Sequence, residues 1–264
     1  MAPRRSTLAP VLWIPAGLAL ALLLLPLVAL IVRAPWAQLP ALLSEPTVAQ
    51  ALGLSLVTAL IATVVSLVLG VPLAFVLARS AAWPAVPRRL LRALVTVPLV
   101  LPPVVGGVAL LLLLGRRGLV GQFLPFGIPF TSAAVVIAQV FVSMPFLVIA
   151  VEGALRASDR RFEVAAATLG ADRAAVFWRV TLPLIAPGIA SGALLCFTRS
   201  LGEFGATITF AGSFPGTTQT LPISTYLLLQ TDPTAAIALS LVLMVVSVAV
   251  LVSLRDRWVP GVVS

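Results

Sequence analysis

Six long apolar runs, separated by shorter polar segments, form the main pattern of this chain. Each run is close to the 20 residues that an α-helix needs to cross the roughly 30 Å hydrocarbon layer of a bilayer. The pattern therefore predicts an all-α, polytopic membrane protein, with one transmembrane domain over residues 1–264. The predicted spans cover residues 11–32, 48–78, 90–114, 133–154, 184–204 and 234–254.

Several runs carry end signals. Pro46 precedes the second run, and Asp232-Pro233 opens the sixth as an acceptor cap followed by proline at the first helical position. A secretory signal peptide is the alternative for the first run, because Arg4-Arg5-Ser6 weakly resembles a twin-arginine signal. The run exceeds the 7–15 residues of a signal core and lacks a clear cleavage site, so a retained helix is favoured.

The composition excludes a soluble fold and most enzyme chemistry. Hydrophobic residues make up 61% of the chain and charged residues 9%, whereas soluble domains have about 45–50% and 25%. The chain has no histidine, the commonest metal ligand and general base, and a single cysteine, Cys196. We therefore predict no catalytic residue, no metal site and no disulfide within the chain.

The net charge is +9, and every basic residue is an arginine. Almost every arginine flanks an apolar run. This placement indicates membrane anchors and not a nucleic-acid surface. By the positive-inside rule, both termini lie in the cytoplasm of a multi-pass protein of the bacterial plasma membrane. The outside arginines are then Arg33, Arg116 and Arg117, with Arg199 inside the membrane. The cytoplasmic arginines are Arg4, Arg5, Arg79, Arg88, Arg89, Arg92, Arg156, Arg160, Arg161, Arg173, Arg179, Arg255 and Arg257.

The longest polar segment, residues 156–183, has a helical pattern. Phe162, Ala166 and Leu169 share one face of a first helix, and Gly170 breaks it. Asp172 then opens a second helix, near its positive end, which continues until Pro183 stops it. A passive link between two helices needs only about 2–8 residues. The segment is therefore either an amphipathic pair resting on lipid headgroups or a docking element for a soluble partner.

This segment resembles the EAA motif of ABC importer permeases, in which a glutamate and two alanines precede a glycine and then Ile-x-Leu-Pro. The spacing from the glycine to Leu-Pro matches in full, while the glutamate stands one place earlier than in the strict motif. The matching residues are Glu163, Ala165, Ala166, Gly170, Val180, Leu182 and Pro183.

The resemblance implies a coupling helix that sits in a groove of a nucleotide-binding subunit. Glu163 would pair with a basic or amide group of that ATPase, and Gly170 would permit the sharp turn. Independently, the chain contains no lysine, so it cannot hold a Walker A phosphate loop. We therefore expect no cofactor in this chain, with ATP and Mg²⁺ used by a partner ATPase.

Charged and helix-breaking residues interrupt two of the predicted spans. Gly202 and Gly205 interrupt the fifth span and belong to the predicted path. Arg199 and Glu203, which are also assigned to this path, lie four residues apart in the same span. Arg199 and Glu203 form a structural ion pair, line a pathway, or do both, since the two hypotheses are compatible. The third span contains Pro98, Gly107 and three residues that we assign to the predicted path. These three are Pro102, Pro103 and Gly106. The alternative is that the prolines only produce a kink for helix packing.

The stretches 199–207 and 210–222 resemble molybdate permeases, although sulfate and thiosulfate permeases share the Gly-Glu-Phe-Gly theme. The family implies a homodimer, two ATP-binding subunits, an extracytoplasmic molybdate-binding protein and uptake of molybdate, with tungstate as a further substrate. A secondary carrier would instead show an inverted repeat, which we do not find. A membrane enzyme would need a cluster of His, Asp or Lys at one membrane face.

Overall fold

The computed structural model describes residues 12–258. Arg4 and Arg5, on which the alternative of a signal sequence rests, lie outside this range. Residues 12–258 contain helices and no strand, which confirms the all-α prediction. The α-helices are α1 (Trp13–Arg33), α2 (Leu39–Leu43), α3 (Pro46–Arg79), α4 (Ala85–Val100), α5 (Pro103–Leu114), α6 (Ser132–Ala157), α7 (Arg161–Thr168), α8 (Arg173–Val176), α9 (Leu182–Leu201), α10 (Gly205–Ala211), α11 (Leu221–Thr231) and α12 (Pro233–Trp258).

Five of the helical stretches are long and apolar enough to cross a membrane. They are α1, α3, α6, α12 and the continuous stretch Arg173–Leu201 that ends with α9. The start of α12 follows the sequence signal, because Asp232 Oδ1 accepts hydrogen bonds from the backbone N–H groups of Thr234 and Ala235 at 3.0 and 3.1 Å. Pro233 then occupies the first helical position.

The third predicted span, residues 90–114, is broken in the structure at the prolines that the sequence pattern marks as helix-breaking. The chain forms α4 and α5, whose axes are bent by 115° at Leu101 and Pro102. Both of these residues have extended backbone angles, because a proline disfavours helical geometry in the residue before it. With 12 residues, α5 is about 18 Å long, so it is too short to cross the hydrocarbon layer alone.

The fifth predicted span also differs from the sequence reading. α9 ends at Leu201 and α10 begins at Gly205, so Arg199 lies in the last turn of a helix and Glu203 in the break that follows. The position of the two charges within the fifth span had indicated the middle of a continuous helix. In the structure they do not lie there. Each one lies at a helix end, where backbone polar groups are available to it.

Residues 212–231 return into the helix bundle before α12 begins, which the sequence analysis did not predict. The backbone N–H of Leu221 donates to Ser55 Oγ at 2.7 Å, and both residues are buried. Ser55 lies nine residues after the start of α3, about 14 Å along its axis. α11 then runs back alongside α12 as a short, apolar return helix.

α6 lies at the centre of the bundle and packs against α3, α9 and α10. Small residues at these contacts, such as Ala59 and Ala62 on α3 and Ala138 on α6, are fully buried and let the helix backbones approach closely. By contrast, α1 has no buried residue and lies at the edge against α12.

We call the end of the bundle marked by Arg79, Arg92, Arg156 and Arg173 the arginine-rich end, and the opposite end the far end.

Candidate functional site

The 156–183 segment folds as the sequence predicts up to Val176. α7 ends at Thr168, and Gly170 adopts a φ of +89°, a left-handed conformation that glycine reaches without steric cost. α8 begins after Asp172, whose Oδ1 accepts a hydrogen bond from the backbone N–H of Ala175 at 2.6 Å. The helix, glycine turn and second helix at the arginine-rich end are thus present in the structure.

The prediction that Pro183 stops the second helix is wrong. The chain stays helical from Arg173 to Leu201, and residues Phe177–Thr181 form one wider π-helical turn just before Pro183. A proline inside a helix lacks an N–H donor and clashes with the preceding turn, and a wider turn makes room for it. As a result, α8 is joined directly to α9, so a push on α8 reaches the bundle without an intervening loop.

Glu163 of α7 is held by its own chain. Thr181 Oγ1 donates a hydrogen bond to Glu163 Oε1 at 2.8 Å, and Arg79 Nη2 lies 3.8 Å from Glu163 Oε2. The Glu163 side chain is 19% exposed, while that of Arg79 is 61% exposed. The pairing of Glu163 with an ATPase stays a prediction, but these contacts tie α7 to the end of α3 and to the start of α9.

Arg79 and Thr181 were not predicted as partners of Glu163. Thr181 stands inside the Val180-Thr181-Leu182-Pro183 stretch, so its place in the motif was an available signal. Arg79 lies 84 positions before Glu163 in the chain, and no local pattern joins the two. Only the packing of α3 beside the 156–183 segment brings the guanidinium to the carboxylate.

A cavity of about 570 Å³ separates α7 from the membrane helices at the arginine-rich end. Its wall includes Arg79, Glu163, Arg173 and Phe177. The Phe177 ring packs against Phe75 of α3 with centroids 5.1 Å apart, which fixes the wider turn against that helix. Apart from the contacts of Glu163, the cavity leaves few contacts between α7 and the membrane helices.

Three apolar side chains of α7 and its C-terminal cap are exposed to solvent or lipid in the protomer. Phe162, Val164 and Leu169 are all exposed, and Leu169 retains 88% of its accessible surface. The predicted face of Phe162, Ala166 and Leu169 therefore does not pack on the rest of the chain. Of the two alanines assigned to docking, Ala165 is exposed and Ala166 is half-buried.

A second acidic residue at this end, Glu152, links α4 to α6. Glu152 Oε1 lies 2.8 Å from Arg156 Nη2 and accepts a hydrogen bond from Arg156 Nε at 3.0 Å. The same oxygen contacts Arg92 Nη2 of α4. Glu152 is buried, so the two arginines neutralise a carboxylate that has little access to water. This contact fixes the position of α4, which has no buried residue of its own.

The breaks in the third and fifth spans meet, and they form a second candidate site. A pocket of about 320 Å³ lies between the start of α5 and the 202–204 break. Of the predicted path residues, Pro102 is exposed beside this pocket, and Gly106 lies outside it, packed against Phe141 of α6. The pocket is lined by Pro103, Val104, Arg199, Gly202, Glu203, Phe204 and Gly205.

Two glycines allow α5 and α10 to approach each other closely. A Cβ atom on Gly107 would lie 2.7 Å from the backbone oxygen of Ala206, and one on Gly205 would lie 2.9 Å from Pro103 Cβ. Real Cβ atoms do not come this close to a neighbour, so a larger side chain at either position would push the helices apart. The first turns of α5 and α10 therefore lie side by side at the pocket.

The predicted pair of Arg199 and Glu203 is present in the structure. Arg199 Nη1 lies 2.6 Å from Glu203 Oε2, and Glu203 Oε1 accepts a hydrogen bond from the backbone N–H of Ala206 at 2.9 Å. The Glu203 side chain is 1% exposed, whereas that of Arg199 is 29% exposed. Arg199 therefore neutralises the buried carboxylate through Nη1 and also lines the pocket.

Comparison with known proteins identifies relatives of the whole chain. Residues 70–260 match the family model described as the binding-protein-dependent transport system inner membrane component. The chain is 52% identical over 248 residues to a molybdenum transport system permease protein of Mycobacterium tuberculosis, covering 93% of each chain. It is 43% identical over 213 residues to the permease of the same name in Escherichia coli K12, covering 79% and 92%. A sulfate transport system permease protein of Salmonella typhimurium is 36% identical over 241 residues, covering 89% and 86%.

Solved structures show the same fold at low sequence identity. A chain of the MetNI methionine ABC transporter in an inward-facing conformation matches with a TM-score of 0.65 and 18% identity, over 81% of this chain and 97% of that one. A chain of a bacterial ABC transporter for the acidic polysaccharide alginate matches with a TM-score of 0.67 and 18% identity, over 93% and 92%. Both proteins are ABC transporters, and the likeness to them supports the helical arrangement.

Proposed function

This chain belongs to the family of binding-protein-dependent transport system inner membrane components, and from that premise we propose that it is the permease subunit of an ATP-driven importer for molybdate. The observation that carries the proposal is the 52% identity to a molybdenum transport permease over 93% of both chains. The chain is a multi-pass component of the inner membrane.

The energy for transport comes from a separate ATPase. The chain has no lysine and so no Walker A loop, while α7 presents an apolar, exposed face at the arginine-rich end. Such a face fits a groove of a soluble subunit, because docking buries Phe162 and Leu169, which lie on the same side of the helix. We assign ATP and Mg²⁺ to two copies of that ATPase, and no cofactor to this chain.

A second copy of this chain completes the translocation path. The pocket at Pro103 and Gly202 opens on an exposed face of the protomer, and the partly exposed Arg199 lies beside it. A guanidinium facing lipid at that depth is unfavourable, so protein or water must cover it. A homodimer that pairs these faces would enclose the path between its two subunits and keep Arg199 away from lipid.

The arginine-rich end lies in the cytoplasm. It carries Arg79, Arg92, Arg156 and Arg173, whereas the far end carries Arg33, Arg116 and Arg117. This asymmetry, with the bent α4–α5 pair counted as one of six crossings, supports a cytoplasmic position for both termini. An extracytoplasmic molybdate-binding protein then delivers the anion at the far end, while the ATPase acts at the arginine-rich end.

Molybdate is favoured over sulfate because the molybdenum permeases reach 52% and 43% identity, compared with 36% for the sulfate permease. Tungstate has the same charge and shape as molybdate, so we expect it to be carried as well. A secondary carrier is disfavoured, since membership of this family implies a binding protein and an ATPase.

Uptake of radiolabelled molybdate in a strain that lacks this chain tests the proposal. We expect deletion to abolish high-affinity molybdate uptake, an excess of unlabelled sulfate to leave wild-type uptake unchanged, and an excess of tungstate to inhibit it. Equal competition by sulfate would support the sulfate alternative. Uptake that continues when the partner ATPase is inactivated would contradict an ATP-driven importer.

A further inference from the structure

The pocket between the two broken spans has the chemistry of an anion site. Arg199 lies in the last turn of α9, and its guanidinium points at the pocket where α5 begins. Pro103 and Val104, the first residues of α5, form the opposite wall. The cation and the positive end of the α5 helix dipole both favour negative charge at this place.

Arg199 has donors to spare for a ligand. A guanidinium carries five N–H donors in a planar fork that matches the oxygens of an oxyanion. Within residues 12–258, the contact of Arg199 with an acidic residue is made through Nη1, to Glu203 Oε2. The side chain is 29% exposed, so its remaining donors can reach an anion that enters the pocket.

Glu203 competes with such an anion for the same guanidinium. Its Oε1 is held by the backbone N–H of Ala206 at the start of α10, which keeps the carboxylate in place whether or not Arg199 moves. Its Oε2 is buried and has no hydrogen bond of regular geometry, so it depends on Arg199 for neutralisation. The pair has no net charge, so it does not attract a dianion as strongly as an isolated arginine would.

We propose that Arg199 is a transient binding residue for the transported tetrahedral oxyanion, and that Glu203 limits how long the anion is held there. This inference rests on the proposed function, since it assigns a step of transport to the pocket. A carrier or channel needs sites that bind strongly enough to admit an ion and weakly enough to release it. An arginine that returns to a fixed carboxylate after the anion leaves meets both conditions.

The assembled importer, with its ATPase and binding protein in proteoliposomes, is used to test this proposal. The deciding variant is Arg199→Gln/Glu203→Gln, which removes both charges and leaves no buried charge unpaired. If the pair only stabilised the fold, this double variant would transport normally. We expect it to take up radiolabelled molybdate about tenfold more slowly than wild type, because the charged hydrogen bonds to the anion are lost. ATPase stimulation by the loaded binding protein should stay within about twofold of wild type.

A second variant tests the role of Glu203 without relying on transport. Glu203→Gln leaves the Arg199 charge uncompensated, so the purified complex should retain about tenfold more radiolabelled molybdate in equilibrium dialysis than wild type. Arg117→Gln is the matched control, because it removes an exposed arginine at the far end. It should bind and transport as wild type does.

Three results would overturn the inference. They are wild-type uptake by the double variant, unchanged molybdate retention by Glu203→Gln, and equal losses in Arg117→Gln and the double variant. If the double variant does not assemble, the Arg199→Lys variant is tested in its place, because lysine keeps the ion pair but lacks the planar fork of the guanidinium. We expect this variant to take up molybdate about fivefold more slowly than wild type. Wild-type uptake by Arg199→Lys would refute the proposal. A wild-type complex that takes up no molybdate with ATP and binding protein present would instead refute the proposed function.

Discussion

The 156–183 segment and the pocket at the broken helices each contain a glutamate held by an arginine, but the two pairs differ in their surroundings. Glu163 and Arg79 are 3.8 Å apart, and Arg79 is largely exposed to solvent. Glu203 and Arg199 are 2.6 Å apart, and Glu203 is almost completely buried. Water screens the first pair and not the second, so their energetic contributions should differ severalfold.

This difference fits the two proposed roles, coupling for the 156–183 segment and transient anion binding for the pocket. An element that moves with a partner needs contacts that break at low cost, and a solvent-screened pair with one hydroxyl hydrogen bond provides them. A pocket inside the apolar layer cannot tolerate an unpaired charge, so its ion pair has to remain intact or be replaced by another charged group. The following predictions test this contrast, in order of decreasing effect on the stability of the permease.

The largest effect is expected for Arg199→Ala. This change leaves the carboxylate of Glu203 buried without a cation, which costs about 3–5 kcal/mol. Thermal unfolding of the purified permease in detergent measures the loss. Adding Glu203→Gln should restore most of the stability, and an Arg199→Ala variant that unfolds at the wild-type temperature would show that water already screens this pair.

Gly107→Ala tests whether the pocket depends on the close contact of α5 with α10. The added methyl group would lie 2.7 Å from both Ala206 O and Thr209 Cβ, which we expect to cost about 1–3 kcal/mol through overpacking. The matched control is Gly53→Ala in α3, where no atom lies within 4 Å of the new Cβ. That control should be neutral or slightly stabilising, and equal unfolding temperatures for the two variants would contradict the close contact.

Glu163→Arg should change the stability of the permease by less than about 1 kcal/mol, because its ion pair with Arg79 is largely screened by solvent. The reversed charge would repel Arg79 and move α7 from its position, so we expect the ATPase to be lost on copurification while the permease stays folded. Asp159→Arg is the control, since it reverses an exposed charge in the same segment. If normal amounts of ATPase copurify with Glu163→Arg, Glu163 is not needed for coupling.

Leu169→Ser should have the smallest effect on the permease itself, within about 0.5 kcal/mol, because the side chain is 88% exposed. It should still reduce the amount of ATPase that copurifies, since it removes apolar surface from the proposed docking face. Leu119→Ser, at an exposed leucine near the far end, is the matched control. If both variants retained the ATPase equally, α7 would be a lipid-facing helix, which is the alternative raised by the sequence.

Much of the helical arrangement could be predicted from the sequence, because a bilayer imposes a length and an apolar character on each crossing. Five of the six predicted spans contain a single long helix in the structure. The third span was harder, since the prolines at 98, 102 and 103 indicate a break without giving its angle. The 115° bend depends on what α4 and α5 each pack against, and that information is not local.

The candidate sites show the same division. The glycine turn at Gly170, the cap at Asp172 and the pairing of Arg199 with Glu203 involve residues within a few positions of one another. Backbone geometry alone brings such residues together, so pattern and spacing predicted all three. The contact of Arg79 with Glu163 could not be predicted in this way, because no local geometry relates residues 84 positions apart.

The sequence by itself determined that this chain crosses a membrane several times, contains a helix–glycine–helix segment and has no nucleotide-binding loop of its own. These properties depend on hydrophobic length, on residue type and on short-range spacing. Only the tertiary structure decided that α5 and α10 meet at one pocket, that α7 is held by α3, and that residues 212–231 return into the bundle. The physical reason is that close packing of helices far apart in the chain places side chains next to each other, and such packing depends on all the helices together.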